Sequence, residues 1–225
     1  MTYYLRVFCV IPAFNEEKYI YDVAKMAKEF VDVVVVVDDG STDKTFSRAI
    51  DSGAVVLRHE ENMGKGAALR TGFKYALEHG ADVVVTLDGD MQHDPLEIPK
   101  FLEKIREERV DIVVGSRFLK KVKGMPIQRR LSNFITTKIL NKVFKVPVTD
   151  SQSGFRAFKR KVLEKVTFKD NKYGAETEIL IEAKRKRFNI VEIPISVKYE
   201  GQQSKIRPIR ETFSWIWLII KKYFG

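Results

Sequence analysis

Asp88-Gly89-Asp90 has the residue types and spacing best suited to chemistry in this sequence. It closes the apolar run Asp82-Val83-Val84-Val85-Thr86-Leu87. β-Branched residues in series read as a buried strand, and a glycine bends the chain at its carboxyl end. Carboxylates two residues apart point the same way on a regular strand, and here they converge where open α/β sheets bind ligands. Such a pair suits Mg2+ or Mn2+ shared with substrate phosphates, because hard cations take oxygen ligands and keep open positions. In isolation Asp-Gly-Asp reads first as an ordinary turn; the surrounding sequence favours the metal. An EF-hand is a poor match, since the position of its closing Glu falls on Pro99.

Other polar groups follow apolar runs in the same way. Val10-Ile11-Pro12-Ala13-Phe14-Asn15-Glu16-Glu17 ends one run, and Val37-Asp38-Asp39-Gly40-Ser41-Thr42-Asp43 ends another. Ser41 and Asp43 read mainly as helix N-caps. Asp38 and Asp39 suit a turn, although two adjacent acids are more than a turn requires. Asn62-Met63-Gly64-Lys65-Gly66-Ala67-Ala68 reads as a phosphate-approaching loop at a helix start, where free N–H groups and Lys65 favour anions. It matches neither the Walker pattern nor the dinucleotide fingerprint. His59, His79 and His93 have no visible triad partners and read as surface or structural residues, with His93 beside the acidic motif.

The elements that must hold these groups alternate. Strands are expected at 5–11, 33–37, 54–57, 82–87 and 111–114, with helices at 17–30, 43–52, 65–79 and 96–107. Short all-apolar strands interleaved with helices indicate a largely parallel sheet covered on both faces. Beyond Gly115 the expected order is a helix from Pro126 to about Phe144, a Ser/Gly-rich loop Thr149–Gly154 and a helix 175–187. A strand 190–197 and a carboxyl-terminal helix from Pro208 complete it.

Composition narrows the classes. The 225 residues fit one domain with a single good core, and 44% hydrophobic with 31% charged is globular. The lone Cys9 excludes an internal disulfide and reads as a small core residue. No secretory signal is visible, and the longest apolar stretch, Phe213–Ile220, is far below the roughly 20 residues of a membrane span. The net charge of +10 is divided unevenly: residues 1–116 hold 14 Lys/Arg against 21 Asp/Glu, and residues 117–225 hold 26 against 9. The acidic half suits a cation-bound ligand and the basic half suits anions. A nucleic-acid-binding module is the remote alternative. Clustered carboxylates repel phosphates without a metal, and no recognised binding motif is present.

Taken in order, these motifs resemble glycosyltransferase family 2, which has the GT-A nucleotide-sugar-binding fold. Gly115-Ser116-Arg117, Ser153-Gly154-Phe155-Arg156 and Gly201-Gln202-Gln203-Ser204-Lys205 bring the chain closer to the dolichyl-phosphate mannose and glucose synthases. The resemblance implies that Pro12, Phe14, Glu16, Asp38 and Asp39, with Lys65 and Asp88, hold the nucleotide sugar. It implies that Asp88, Asp90 and Gln92 hold Mg2+ or Mn2+ on the donor diphosphate. Asp90, Arg117 and Lys205 then stand closest to catalysis. Arg117, Arg129, Arg130, Arg156, Lys205 and Arg207 are candidates for the acceptor phosphate, because an arginine fork donates two bonds at once. Glu176 falls where related enzymes carry an acid, though helix-start electrostatics explains it equally well. A lipid phosphate is already anionic, so no general base is assigned.

The helix Pro126–Phe144 mixes Ile127, Leu131, Phe134, Ile135, Ile139 and Val143 with Arg129, Arg130, Lys138 and Lys142. The segment Phe213–Phe224 pairs Trp215 and Trp217 with basic flanks. Both suit helices lying in a membrane interface, and core packing or oligomer contact is the alternative. Many members of the resembled family continue into membrane-spanning helices, so a membrane-protein partner is a further expectation.

The expected architecture is therefore α/β with the GT-A fold. A mostly parallel central sheet is flanked by helices, with a carboxyl-terminal amphipathic helix, in one catalytic domain spanning 1–225. The expected activity is metal-dependent, inverting transfer of a hexose from UDP-glucose or GDP-mannose to a polyprenyl (dolichyl) phosphate. It would take place peripherally at the cytoplasmic face of a membrane. The alternative is a saccharide or other hydroxyl acceptor.

Overall fold

The computed structural model describes residues 4–120, 124–172 and 174–198. Lys205, Arg207, the helix expected from Pro208 and the Trp215 segment lie outside the described residues.

Runs of valine cannot leave either face in water, so the strands they form lie in the middle of the molecule. Strands β1 (Val7–Ala13), β2 (Val33–Asp38), β3 (Val55–Arg58) and β4 (Val83–Thr86) alternate with helices α1 (Ile20–Ala27), α2 (Thr45–Asp51) and α3 (Lys65–Glu78). A 3-10 turn, Pro95–Glu97, enters helix α4 (Ile98–Ile105), followed by strand β5 (Ile112–Ser116) and helix α5 (Ile127–Phe144). Strand β6 (Arg156–Lys159), the short helix α6 (Arg160–Leu163), helix α7 (Ala175–Arg185) and strand β7 (Ile190–Pro194) complete the described chain.

The sheet order is β3-β2-β1-β4-β6-β5-β7. All pairings are parallel except those of β6, which runs against both β4 and β5. Phe8, Val10, Val35, Val37 and Val84 pack on one face. Cys9, Ile11, Val34, Val36 and Val85 pack on the other. This alternation across a period of two is why each strand reads as wholly apolar.

The chain travels outward from β1 to β3, then returns through α3 to place β4 on the other side of β1. The loops after β1 and β4 therefore leave in opposite directions and open a crevice at their carboxyl ends. Strand β1 begins two residues later than expected and runs on through Pro12. Leu87 donates to the Val10 carbonyl, so Pro12, two residues on, turns its imide nitrogen to the same side, past the end of β4. No ladder bond is lost there.

Strand β6 was not expected. Four residues with charged ends, following a Ser/Gly-rich loop, give no run of apolar residues. Their burial comes from position: Ala157 sits between Val85 of β4 and Val113 of β5.

Candidate functional site

The crevice is a cleft of about 760 Å³, lined from the ends of β1, β2 and β4, the start of α3, and α5. The end of β1 supplies Pro12, and the loop after it supplies Phe14 and Glu16. It is laced to the loop after β2. The Asn15 backbone donates to Ser41 Oγ at 2.9 Å, that of Glu16 to Thr45 Oγ1 at 2.7 Å and that of Glu17 to Asp43 Oδ2 at 3.2 Å. Ser41 and Asp43 thus join two loops, which corrects the expected N-cap role: Lys44 precedes α2, with no side-chain cap bond.

The two acids after β2 part company. Asp39 lines the cleft. It accepts from His59 Nδ1 at 2.7 Å and from the backbones of Met63 at 3.0 Å and Gly64 at 2.8 Å, which hangs the 62–64 loop on β2. His59 is therefore structural, bridging Asp39 and Thr71. Asp38 corrects the expectation of a paired contact. It is fully buried beside Arg58 (3.2 Å), accepts from the Ser41 backbone at 3.2 Å, and is not part of the cleft lining.

The 62–68 loop is a second correction. It was expected to offer free N–H groups to a phosphate. Instead the N–H groups of Gly66 and Ala67 donate to the Asn171 carbonyl at 2.8 and 3.4 Å. A Cβ at Gly66 would overlap the Asp170 carbonyl oxygen, so its glycine permits backbone packing rather than ligand approach. Lys65 does reach the cleft, where its Nζ lies 2.5 Å from Asp88 Oδ1 and 2.7 Å from Glu176 Oε1. Burial disfavours the ammonium, but the two carboxylates outweigh that and raise its pKa. Glu176, at the start of α7, is therefore an ion-pair partner within the cleft.

Asp88 and Asp90 line the centre. Burial works against the charge of Asp88, yet Lys65 holds its carboxyl below the usual range. Burial and then the neighbouring Asp88 push Asp90 up to about 6. Gly154 lies against Asp88 so closely that a Cβ there would stand 2.6 Å from its Oδ2. Asp88, Asp90 and the Gln92 amide offer oxygen ligands only, which fits a hard divalent cation with positions left for phosphate oxygens. Among the described residues no group of three or more His, Cys, Asp or Glu side chains is placed to hold a metal ion.

The same cleft also carries arginines. Arg117 and Arg129 line it, and Arg129 Nη1 donates to Gln92 Oε1 at 3.3 Å. Arg117 makes a two-bond fork onto buried Asp150, from Nε at 2.6 Å and from Nη2 at 2.8 Å. Arg130 is instead exposed along a second, largely apolar groove with Leu131 and Phe134. Arg156 is a correction: it is 1% exposed and donates to the carbonyls of Ser153, Glu176 and Ser151 at 2.8, 2.5 and 2.8 Å. It pins the 149–154 loop and presents nothing to the cleft.

His93 was underread. It lines the cleft at 3% exposure beside Phe155, its Nδ1 has no hydrogen-bond partner among the described residues, and burial pushes its pKa down to about 4. Asp150 was missed entirely. Its signal, an acid in the loop after α5, gains meaning only once Arg117 is known to face it.

The model of "Glycosyl transferase family 2" matches residues 8–167. The chain belongs to glycosyltransferase family 2. An uncharacterised protein of Methanocaldococcus jannaschii is 40% identical over 201 residues, 86% of this chain and 82% of that protein. The UDP-N-acetylglucosamine–dolichyl-phosphate N-acetylglucosaminyltransferase of Methanococcus voltae is 35% identical over 86% of each chain. The dolichol-phosphate mannosyltransferase of Pyrococcus furiosus is 30% identical over 90% of this chain and 60% of its own length. Among solved structures, glucosyl-3-phosphoglycerate synthase of Mycobacterium tuberculosis, with Mn2+, UDP-glucose and phosphoglyceric acid, superimposes with a TM-score of 0.79 at 25% identity. It covers 96% of this chain and 79% of that one. The GT-A architecture, the glycosyltransferase class and the likeness to dolichyl-phosphate sugar synthases expected from sequence are thereby established.

Proposed function

We propose that this family 2 glycosyltransferase moves a hexose, with inversion, from a nucleotide sugar to a polyprenyl phosphate, assisted by Mg2+ or Mn2+. The observation that carries the reading is the meeting of two chemistries in one cleft. Asp88, Asp90 and Gln92 line it together with Arg117 and Arg129, and Arg129 Nη1 reaches Gln92 Oε1 at 3.3 Å. Pro12, Phe14, Glu16 and Asp39 line the same cleft and would hold the nucleoside.

A divalent cation on the Asp88, Asp90 and Gln92 oxygens would neutralise charge on the departing diphosphate. The protein's own groups do the rest. Lys65 adds a fixed positive charge beside Asp88, and the arginines draw an anionic acceptor to the sugar. A phosphate oxygen attacks without first losing a proton, since its second pKa is about 6. The relatives named for dolichyl-phosphate transfer support this acceptor class. Peripheral attachment to the cytoplasmic face of a membrane, through the basic and apolar flank of α5, goes with it. Among the described residues no helix is long and apolar enough to cross a membrane.

A hydroxyl acceptor carrying an anionic group is the second reading, favoured by the structural neighbour that holds phosphoglyceric acid. A transfer assay separates the two. UDP-glucose, GDP-mannose and UDP-N-acetylglucosamine are offered with Mn2+ or Mg2+, against a short polyprenyl phosphate and 3-phosphoglycerate. Product extracted into butanol only with the lipid phosphate supports the first reading. Product formed only with 3-phosphoglycerate replaces it by the second.

A further inference from the structure

Gly115-Ser116-Arg117 carries the chain off the end of β5 and sets Arg117 in the cleft wall. A free arginine has many rotamers, and ordering it on a ligand costs conformational entropy unless something orders it beforehand. Asp150 does this. It is fully buried, and both its oxygens face Arg117. They accept from Nε at 2.6 Å, Nη2 at 2.8 Å and the backbone N–H at 3.1 Å. Asn133 of α5 donates to the same carboxylate at 2.6 Å.

The loop that carries Asp150 is held in turn. Glu192 of β7 accepts from the backbones of Thr149 at 2.8 Å and Asp150 at 3.0 Å. Ser116 Oγ lies 2.6 Å from Thr149 Oγ1. Arg117 after β5 and Asn133 of α5 thus meet on one carboxylate, while β7 holds the backbone that carries it. Buried ion pairs are often replaceable by apolar residues without loss of stability. The geometry of the fork, rather than its strength, is therefore what calls for explanation.

We infer that Asp150 is a positioning residue, whose carboxylate fixes the plane of the Arg117 guanidinium so that it meets an anionic acceptor in one preset orientation. Asp150 itself has no exposure, so it neither touches substrate nor serves as a base. A bidentate pair sets guanidinium orientation as a single hydrogen bond cannot. The inference rests on the proposed reading in which Arg117 faces the acceptor phosphate.

The test is a double-mutant cycle on steady-state transfer to a short polyprenyl phosphate. Asp150→Asn should raise the acceptor KM about tenfold, within the roughly 10²-fold cost of misplacing a positioning group, and leave the donor KM unchanged. In an Arg117→Ala background the same change has nothing left to orient, so the double variant should match Arg117→Ala within about twofold. Losses that multiply in the double variant overturn the inference while the proposed function stands. A wild-type enzyme that transfers only to 3-phosphoglycerate removes the parent reading and this inference with it. If Asp150→Asn does not fold, as judged by its melting curve, Asn133→Ala carries the test. That variant loosens the carboxylate from α5 and should raise the acceptor KM alone, by about threefold. An unchanged acceptor KM in Asn133→Ala then overturns the inference.

Discussion

Asp88 and Asp90 stand two residues apart, yet their surroundings drive them in opposite directions. Lys65 keeps Asp88 ionised, whereas burial and the charge of Asp88 raise Asp90 to about 6. Asp90→Asn keeps the shape and removes only charge from the oxygen set. Transfer should fall by at least about 10²–10³-fold, the range for losing one preorganised electrostatic contact, while the melting temperature stays near wild type. Transfer that persists in EDTA would contradict the cation assignment. His93 carries a separate prediction. Its folded pKa of about 4 lies below the 6.5 of an exposed histidine, because burial disfavours the charged ring. The unfolded chain binds the extra proton between those values, so stability is intact above about pH 6.5 and declines as pH falls towards 4. Denaturant unfolding at pH 7 and pH 5 should cost wild type about 2 kcal/mol more than His93→Gln. Equal losses in both proteins would show that the ring titrates normally.

At the level of elements, what the sequence disclosed depended on whether the cause of burial lay within the segment. β1, β2 and β4 were legible because valine runs require cover on both faces whatever their neighbours are. β6 was not, since Arg156-Ala157-Phe158-Lys159 is buried only by virtue of lying between β4 and β5. The site divides along the same line. Asp88, Asp90 and Arg117 were readable from motif and position, but the fork from Arg117 to Asp150 and the burial of Arg156 depend on tertiary contacts. The 62–68 loop misled because glycine at a helix start serves backbone packing and anion approach alike, and only Asn171 decides between them. α5 shows the opposite case, a local apolar pattern left exposed among the described residues. Ile127, Leu131 and Phe134 are 82%, 60% and 55% exposed, with Arg130 and Lys138 along the same groove. Burying a phenylalanine contributes about 1.5–3 kcal/mol and each nearby cation about 1 kcal/mol on an anionic surface. Phe134→Glu should therefore reduce co-sedimentation with anionic vesicles at least about tenfold, with the melting temperature unchanged. Equal sedimentation of both proteins would assign this face to something other than lipid.

Across the whole molecule, the acidic and basic halves of the sequence do not form separate bodies in space. β4, from the acidic half, pairs with β6, from the basic half, and β6 in turn separates β4 from β5. One face of the sheet is completed by Phe158, Val162, Phe168, Ile179 and Leu180, all from beyond residue 117. Both halves line the same cleft, with Asp88 and Asp90 from the acidic half beside Arg117 and Arg129 from the basic half. A fragment of residues 1–116 retains every nucleotide- and metal-directed motif but lacks the strand that covers β4 and much of that core face. Its Val83–Thr86 edge would stand open, and an open apolar edge strand is a template for aggregation. The fragment should be insoluble, or show no cooperative thermal transition and no UDP-dependent rise in melting temperature, where the full chain shows both. A fragment that melts cooperatively and is stabilised by UDP would instead establish residues 1–116 as an independent nucleotide-binding unit, and the chain would then be two domains rather than one.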